Sequence, residues 1–260
     1  MPNLEVTREI KEEDLKGKNY FKDKSYMSYS EFKKFQECEA KAMAEIRGDY
    51  VEPPNKSYLM GGYVDAHFSG EEKIFADKHP EIYGRNGLKA DFVRCDEIIK
   101  SIESDDYFHS FYQGKPQTIE TGMIAGVPFK GKFDFLTDDR IVDMKLMRNV
   151  DDIWVEGVGK VPFWKAYGYD IQASIYQYLH LQNSGKRLPF YLVVATKEDI
   201  TGKYIFKFSQ KTLDSAMAEV KQNAPRYQSI KEGTIEPVEC GHCDWFRQSH
   251  KMDDKDIKEI

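Results

Sequence analysis

The chain has few cysteines and no long apolar run, and each shortage excludes a class of protein. Only four cysteines occur among 260 residues, too few for a small secreted domain held together by disulfides, so reduced thiols or a metal site remain. No stretch approaches the roughly 18 apolar residues that a membrane helix needs, and the first residues lack the apolar core of a signal peptide. We therefore expect a cytoplasmic protein with no membrane partner.

The composition is that of a folded chain. Hydrophobic residues make up 40% and charged residues 32%, which excludes fibrous and disordered proteins. We expect a loose N-terminal arm over residues 1–24, then a single domain over 25–260 with a cysteine-containing C-terminal tail packed on it. The net charge of -6 by itself argues against a nucleic-acid partner, so DNA binding would need a local basic groove.

The pattern of apolar residues predicts a mixed α/β (α+β) fold. Three helices are expected first: one after the Ser28–Glu31 capping box, with Phe32, Phe35, Cys38, Ala42 and Ile46 on one face, one from Leu59 to about Ala76, and one around Phe92 to Ile102. Three short β-rich segments follow from Gln117, then an irregular link over 149–163, a helix from Trp164 to about Gln182, two strands and a polar helix. The expected architecture is a central mixed sheet with flanking helices and an added N-terminal helical region.

The segment GKFDFLTDDRIVDMKL carries the strongest chemical signal. Side chains in a strand repeat every second residue, so Asp143 and Lys145 share a face, and the turn at 137–139 can bring Asp134 beside them. Two carboxylates and an ammonium suit metal-assisted phosphodiester hydrolysis, because carboxylate oxygens bind Mg²⁺ and the lysine can stabilise developing charge. The alternative is an ordinary cross-strand ion pair on a solvated face. The apolar neighbours of Asp143 favour the metal site, because a buried acid is costly without a cation.

At this point the sequence resembles a known family. The segments GKFD and IVDMKL resemble the G-x-x-D and D-x-K core of the PD-(D/E)XK nucleases, in the RecB-like branch. His67 in GGYVDAHF matches the helical histidine motif of that branch, and Gln172 and Tyr176 in YDIQASIYQYL match its Q-x-x-x-Y helix. Among subfamilies the chain is most similar to phage-type exonucleases related to exonuclease VIII (RecE). The resemblance implies a restriction-endonuclease-like core.

The resemblance also implies a role for each matched residue. His67, Asp134 and Asp143 would bind Mg²⁺ or Mn²⁺, with the Met144 carbonyl as a possible further ligand, and Lys145 would be the catalytic lysine. Gln172 and Tyr176, one helical turn apart, would contact substrate or brace the lysine. Glu120 is a possible extra acidic ligand. Taken separately, His67 has the alternative of an ordinary packed histidine, and Gln172 and Tyr176 that of helix surface and core.

The implied activity is a metal-dependent DNA exonuclease acting on duplex ends, 5′ to 3′, in phage or prophage recombination. The implied partners are DNA, a single-strand annealing protein and further copies of the chain in a homo-oligomer. A CRISPR-adaptation or helicase-associated RecB-like nuclease remains an alternative, and so does a non-cutting DNA-binding scaffold with the same fold. Basic residues and aromatic residues near the proposed site could hold phosphates and unpaired bases: Lys130, Lys132, Lys145, Arg148, Lys160 and Lys165, and Trp154, Phe163, Trp164 and Tyr167.

The remaining motif is Cys240-Gly-His-Cys243, whose spacing is typical of zinc and iron sites. In relatives that carry an iron–sulfur cluster, one cysteine stands early and three stand late; Cys38, Cys240 and Cys243 match three positions. The fourth is missing, because Phe246 or Ser249 stands there, and Cys95 falls on a core face. An iron–sulfur cluster is therefore not expected. His242 or His250 could complete a zinc site, but the ligand count favours a metal-free remnant that pins the tail to the first helix.

Overall fold

The computed structural model describes residues 18–252, together with 254 and 257. The helices are α1 Lys18–Lys22, α2 Tyr29–Glu37, α3 Glu39–Arg47, α4 Lys56–Ser69, α5 Glu72–Lys78, α6 Ala90–Glu103, α7 Asp106–His109, α8 Phe163–Ala166, α9 Tyr169–Ser184, α10 Gln210–Lys231 and α11 Asp244–Ser249. The strands are β1 Met27–Ser28, β2 Tyr83–Gly84, β3 Gly87–Leu88, β4 Lys115–Ile124, β5 Val127–Leu136, β6 Ile141–Met147, β7 Ile153–Val155, β8 Gly159–Val161, β9 Phe190–Thr196 and β10 Lys203–Lys207.

A six-stranded mixed sheet forms the centre of the molecule. Strand β4 pairs with β5, and the order continues from β5 through β6 and β9 to β10. The β4–β5, β5–β6 and β9–β10 pairs are antiparallel, whereas β6 and β9 are parallel and are joined through the helical segment α8–α9. The short strand β1 runs parallel to β5. The predicted antiparallel run of three strands is therefore present, and the fold class is the one expected.

Helices cover both faces of this sheet. One hydrophobic cluster joins Phe32, Ile175 and Val220 to one face, and a second joins Ile98 and Val193 to the other. Strand β9 contributes to both clusters, since Leu192 and Val194 belong to the first whereas Val193 and Ala195 belong to the second. A strand buried on two faces has a nearly continuous apolar sequence, which explains the segment PFYLVVAT.

Two helices predicted as continuous are each divided in the structure. The first divides at Cys38, whose extended backbone (φ -165°, ψ 111°) ends α2 and begins α3. The second divides at Gly70, which adopts the left-handed conformation (φ 73°) that glycine tolerates because it has no Cβ. Apolar residues continue at helical spacing across both breaks, so periodicity alone did not mark them.

The N-terminal arm and the 149–163 link also differ from expectation. Residues 1–17 of the predicted arm lie outside the described part of the chain. Residues 18–22, however, form a helix, and Tyr20 is buried, so this part of the arm is not loose. The link contains the hairpin β7–β8, in which Trp154 is paired with Lys160.

Within the described residues, no helix combines the length and the apolar content that are needed to cross a bilayer.

Candidate active site

The candidate site lies where strands β5 and β6 separate. The two strands pair at Phe135–Val142 and Leu136–Ile141, and Asp134 and Asp143 come immediately beyond that paired region. There the Met144 backbone N–H donates to the Asp134 side chain and not to a backbone carbonyl, with 2.8 Å between the nitrogen and Oδ2. The separation therefore leaves room for side chains between two strands of one sheet.

Strand β5 also changes face at Asp134. Residues two apart in a regular strand point to the same side of a sheet. Phe133, however, packs on Tyr176 of α9, whereas Phe135 packs on Tyr112, which belongs to the hydrophobic cluster on the opposite face. On the neighbouring strand β4, Gln117 has a positive φ of 51°. This local irregularity turns the Asp134 carboxylate toward β6.

Asp143 and Lys145 lie together on strand β6, as their spacing predicts. The Lys145 ammonium forms an ion pair with Asp143 Oδ2 and lies 3.3 Å from the Met144 carbonyl oxygen. Asp143 is 1% exposed, whereas the Lys145 side chain is 24% exposed. The Tyr169 ring covers this lysine, with its centroid 5.4 Å from Nζ. The pair therefore has a buried carboxylate and a cation that solvent can reach.

One face of helix α9 positions Asp143. Gln172 Nε2 donates to Asp143 Oδ1 at 2.6 Å, and Tyr176, one turn later, packs its ring 4.7 Å from the Phe133 ring. Both Gln172 and Tyr176 are buried. In this arrangement Gln172 braces the carboxylate rather than the lysine, and neither side chain faces solvent where a substrate would lie.

A further residue, Asp65 on helix α4, lies near Asp134, although the sequence motifs do not mark it. Its two carboxylate oxygens accept hydrogen bonds from Gln117 Nε2 at 2.9 and 3.1 Å. Burial first and the charge of Asp134 second raise the pKa of Asp65 to about 7. The available signal was its position in GGYVDAHF, two residues before the histidine that the family motif highlights.

His67 itself is not brought to Asp134 and Asp143. Its Nδ1 lies 2.7 Å from Glu72 and its Nε2 lies 2.9 Å from Glu103, so both ring nitrogens contact carboxylates on other helices. Successive helical residues are about 100° apart around the axis, so residues two apart point to nearly opposite sides. With Asp65 directed at the sheet, His67 is directed away from it.

Glu120 also lies apart from the aspartates. It pairs in register with Gly131, and its Oε1 lies 2.9 Å from His180 Nδ1 on the face of α9 that also carries Gln172 and Tyr176. The structure therefore places Glu120 in a half-buried pair with His180 and not beside Asp143.

The site has more acidic than basic side chains. Burial raises the pKa of Asp143 to about 7; Lys145 opposes that rise and Asp134 adds to it. Burial likewise raises the pKa of Asp134. Although burial disfavours its charged form, the two neighbouring aspartates raise the pKa of Lys145 above its usual range. Three carboxylates thus face two nearby ammonium groups, those of Lys132 and Lys145. An added divalent cation would offset the excess, and carboxylates are the donors that hard cations prefer.

The expected basic groove is only partly available. Lys130 is buried and donates to the backbone carbonyls of Tyr20 and Asp23, and Lys165 is paired with Asp170 and Glu219. Arg148 and Lys160 are exposed. Of the four aromatic residues, Phe163 and Trp164 pack on the core, whereas Trp154 and Tyr167 are exposed.

Three of the four cysteines lie together, and the fourth lies apart from them in the core. Cys95 is fully buried on α6, and Cys38, Cys240 and Cys243 lie together where the tail packs on α3. Neither His242 nor His250 is part of this group of sulfurs: His242 Nδ1 donates to the Cys240 carbonyl, and His250 stacks on Phe246 and lies 3.6 Å from Glu239.

The fold agrees with comparisons to known proteins. The chain belongs to the family described as "PDDEXK-like domain of unknown function (DUF3799)", whose profile matches residues 28–249. It is similar to a protein from Eubacterium rectale whose crystal structure is named "Putative exonuclease", with 34% identity over 97% of this chain and 96% of that chain and a TM-score of 0.88. The predicted fold class and the predicted PD-(D/E)XK resemblance are confirmed.

The protein in the crystal structure of SSO0001 is 16% identical over 72% of this chain and 86% of that chain. Its TM-score of 0.28 is too low to indicate a shared fold. No curated protein matches the chain.

Proposed function

We propose that this protein is a divalent-metal-dependent DNA exonuclease that hydrolyses phosphodiester bonds from the ends of duplex DNA. The observation that carries the proposal is the group formed by Asp143, Lys145 and Asp134 where β5 and β6 separate. The name of the similar Eubacterium rectale protein supports an exonuclease. The resemblance to exonuclease VIII favours 5′ to 3′ digestion, a role in phage recombination, a single-strand annealing partner and a homo-oligomer.

In this proposal Asp65, Asp134 and Asp143 would hold Mg²⁺ or Mn²⁺. The bound ion would supply a water of lowered pKa and would neutralise charge on the scissile phosphate. Asp65 would take the place that the family motif implies for His67, because both ring nitrogens of that histidine contact other carboxylates. Three carboxylates of raised pKa are suited to a cation, since binding replaces their mutual repulsion by attraction.

The remaining roles follow from contacts. In the ion pair with Asp143, Lys145 is the solvent-accessible partner. It would stabilise negative charge that develops on the phosphate. Gln172 positions the Asp143 carboxylate, and Tyr169 lies over the lysine and restricts its motion. Lys132, Arg148 and Lys160 are available to hold the DNA backbone, which needs cations whatever the net charge of the chain.

The test uses linear duplex DNA labelled at either the 5′ or the 3′ end, with Mg²⁺, Mn²⁺ or EDTA. We expect release of labelled mononucleotides or short fragments only with metal, first from the 5′-labelled substrate. Asp143→Asn and Lys145→Met should each lower the rate by at least about 10²-fold, because each removes a group that acts on the reacting phosphate. Asp77→Asn, on the exposed side of α5, is the matched control and should retain the rate.

Three outcomes would contradict the proposal. Binding of DNA without product in any metal would indicate a non-cutting scaffold. Nicking of covalently closed circular duplex at a rate equal to that on linear duplex would indicate an endonuclease. Full activity of Asp143→Asn, in a preparation with unchanged circular dichroism, would place the chemistry elsewhere.

A further inference from the structure

Three cysteine sulfurs converge at the junction between the N-terminal helices and the C-terminal tail. Cys38 stands at the break between α2 and α3, and Cys240 and Cys243 immediately precede α11. The three sulfur atoms lie within 4.8 Å of one another, and the Cys38 and Cys243 sulfurs are 3.8 Å apart. Within the described residues this is the one set of three potential metal ligands that meets so closely.

The spacing of these sulfurs matches a metal site. Zinc–sulfur bonds of about 2.3 Å in a tetrahedron place neighbouring sulfurs about 3.8 Å apart. A disulfide would need about 2.05 Å. The Cys38–Cys243 separation therefore equals the edge of a tetrahedral thiolate site and is nearly twice a disulfide bond.

Each sulfur also accepts a backbone hydrogen bond. Lys41 N–H donates to Cys38 Sγ at 3.5 Å, Cys243 N–H to Cys240 Sγ at 3.3 Å, and Phe246 N–H to Cys243 Sγ at 3.4 Å. Such donors stabilise the thiolate, which is the form that binds a metal, and they orient it. Cys95 provides the contrast: its sulfur lies in the core, 3.9 Å from the Met60 carbonyl.

Backbone hydrogen bonds and one aromatic pair hold the tail on either side of the cysteines. Helix α11 is six residues long and none of its side chains is buried, and such a short helix is marginal in water. Before it, the Val238 N–H donates to the Glu39 carboxylate, and the Ala40 N–H donates to the Val238 carbonyl. After the cysteines, Trp245 meets Tyr50 edge to face. In sequence the sulfurs of Cys240 and Cys243 lie between these contacts, where a bound ion would further constrain α11.

We propose that Cys38, Cys240 and Cys243 bind one zinc ion that fastens residues 239–249 to α3. Three thiolates are a soft ligand set, which zinc accepts in tetrahedral coordination. Each thiol releases its proton on binding, so the site forms more readily as the pH rises. Cys240 and Cys243 are partly exposed, so the fourth position is open to water or to His242, whose Nδ1 donates to the Cys240 carbonyl and leaves Nε2 as the acceptor. The site is separate from the aspartates and does not depend on the proposed nuclease activity.

The first test measures metal content by mass spectrometry on protein purified without an affinity tag and reconstituted with zinc under reducing conditions. We expect one zinc per chain in the wild type and in Cys95→Ala, the matched control for the fourth cysteine. Cys38→Ser, Cys240→Ser and Cys243→Ser should each lose it. His242→Ala distinguishes the fourth ligand: loss of zinc assigns His242, and retention assigns water, both within the proposal.

The second test measures hydrogen exchange over residues 239–249. This exchange reports how firmly the tail is held, so it distinguishes loss of the proposed site from a change in metal affinity that has another cause. Removal of zinc by a chelator should accelerate exchange there at least tenfold and leave the strands β6 and β9 protected. Iron with acid-labile sulfide in the anaerobic protein would overturn the zinc assignment. No metal after reconstitution, or equal loss in Cys95→Ala, would overturn the site itself.

Discussion

At the scale of single residues, the candidate site collects buried acids at a cost to the metal-free protein. Asp65 and Asp143 both have a pKa of about 7, against roughly 4 in an unfolded chain. An acid whose pKa is raised by folding holds its proton more tightly in the folded state, so it stabilises that state only while it is protonated. The metal-free protein should therefore lose stability as the pH rises from about 4 to about 7.

Asp65→Asn should separate this cost from the benefit of metal binding. The substitution removes one buried charge beside Asp134, so at pH 8 without metal it should raise the free energy of unfolding by on the order of 1 kcal/mol. It should also flatten the loss of stability between pH 4 and 7. Mn²⁺ should raise the melting temperature of the wild type at pH 8 and do so much less for the variant. Thermal unfolding with Mn²⁺ or EDTA at several pH values measures all three effects.

His67→Gln is the control, because the structure directs this residue to Glu72 and Glu103. It should retain the Mn²⁺ effect. The opposite result, with the effect lost in His67→Gln and kept in Asp65→Asn, would favour the ligand that the family motif implied.

At the scale of elements, helix α9 and strand β5 must approach closely for Gln172 to reach Asp143. Gly131 permits this approach: a Cβ there would lie 2.9 Å from the Phe133 ring and 3.0 Å from the Tyr176 ring. These rings are buried between the helix and the sheet. A methyl group would push α9 outward and withdraw Gln172 from the carboxylate.

Gly131→Ala should therefore destabilise the fold by about 1 to 3 kcal/mol, which is typical of overpacking a dense core. Gly61→Ala is the paired comparison, since Gly61 lies within α4 and a Cβ there meets nothing within 4 Å. It should stabilise the protein by up to about 1 kcal/mol, because alanine is the better helix former. Denaturant unfolding of both variants gives the comparison, and equal effects of the same sign would refute the packing argument.

At the scale of the whole molecule, a buried lysine ties the N-terminal segment to the sheet. Lys130 on β5 is 3% exposed, and its ammonium donates to the backbone carbonyls of Tyr20 and Asp23 and lies over the Tyr20 ring. Burial lowers the pKa of this lysine. Lys130 thus holds residues Tyr20 to Asp23 against the sheet, although the sequence suggested this lysine for DNA binding.

Lys130→Met should release that segment while the core stays folded. Hydrogen bonds from a charged donor contribute about 1.5 to 3 kcal/mol, so amide exchange over residues 20–26 should accelerate by about ten- to a hundredfold. Lys115→Met, at an exposed position on the neighbouring strand β4, should leave exchange unchanged. Cooperative loss of protection across the whole sheet would show that the segment is part of the global folding unit instead.

Patterns of apolar and polar residues predicted the features that depend on a single strand or helix. Strand alternation predicted that Asp143 and Lys145 share a face, and the continuous apolar run 190–196 predicted a buried strand. The breaks at Cys38 and Gly70 were missed because apolar spacing continues through them. The role assigned to Lys130 was wrong for a related reason: a lysine in a strand gives no sign of whether its ammonium meets solvent or backbone carbonyls.

Local sequence patterns specify the main strands and helices and put Asp143 and Lys145 on one face of a strand, because periods of 2 and 3.6 residues act within single elements. Long-range packing sets which of Asp65 and His67 faces Asp134, since both lie on one helix whose rotation about its own axis depends on its neighbours. The same holds for the sulfurs of Cys38, Cys240 and Cys243. They meet because the tail crosses α3, a contact between distant segments that no local period specifies.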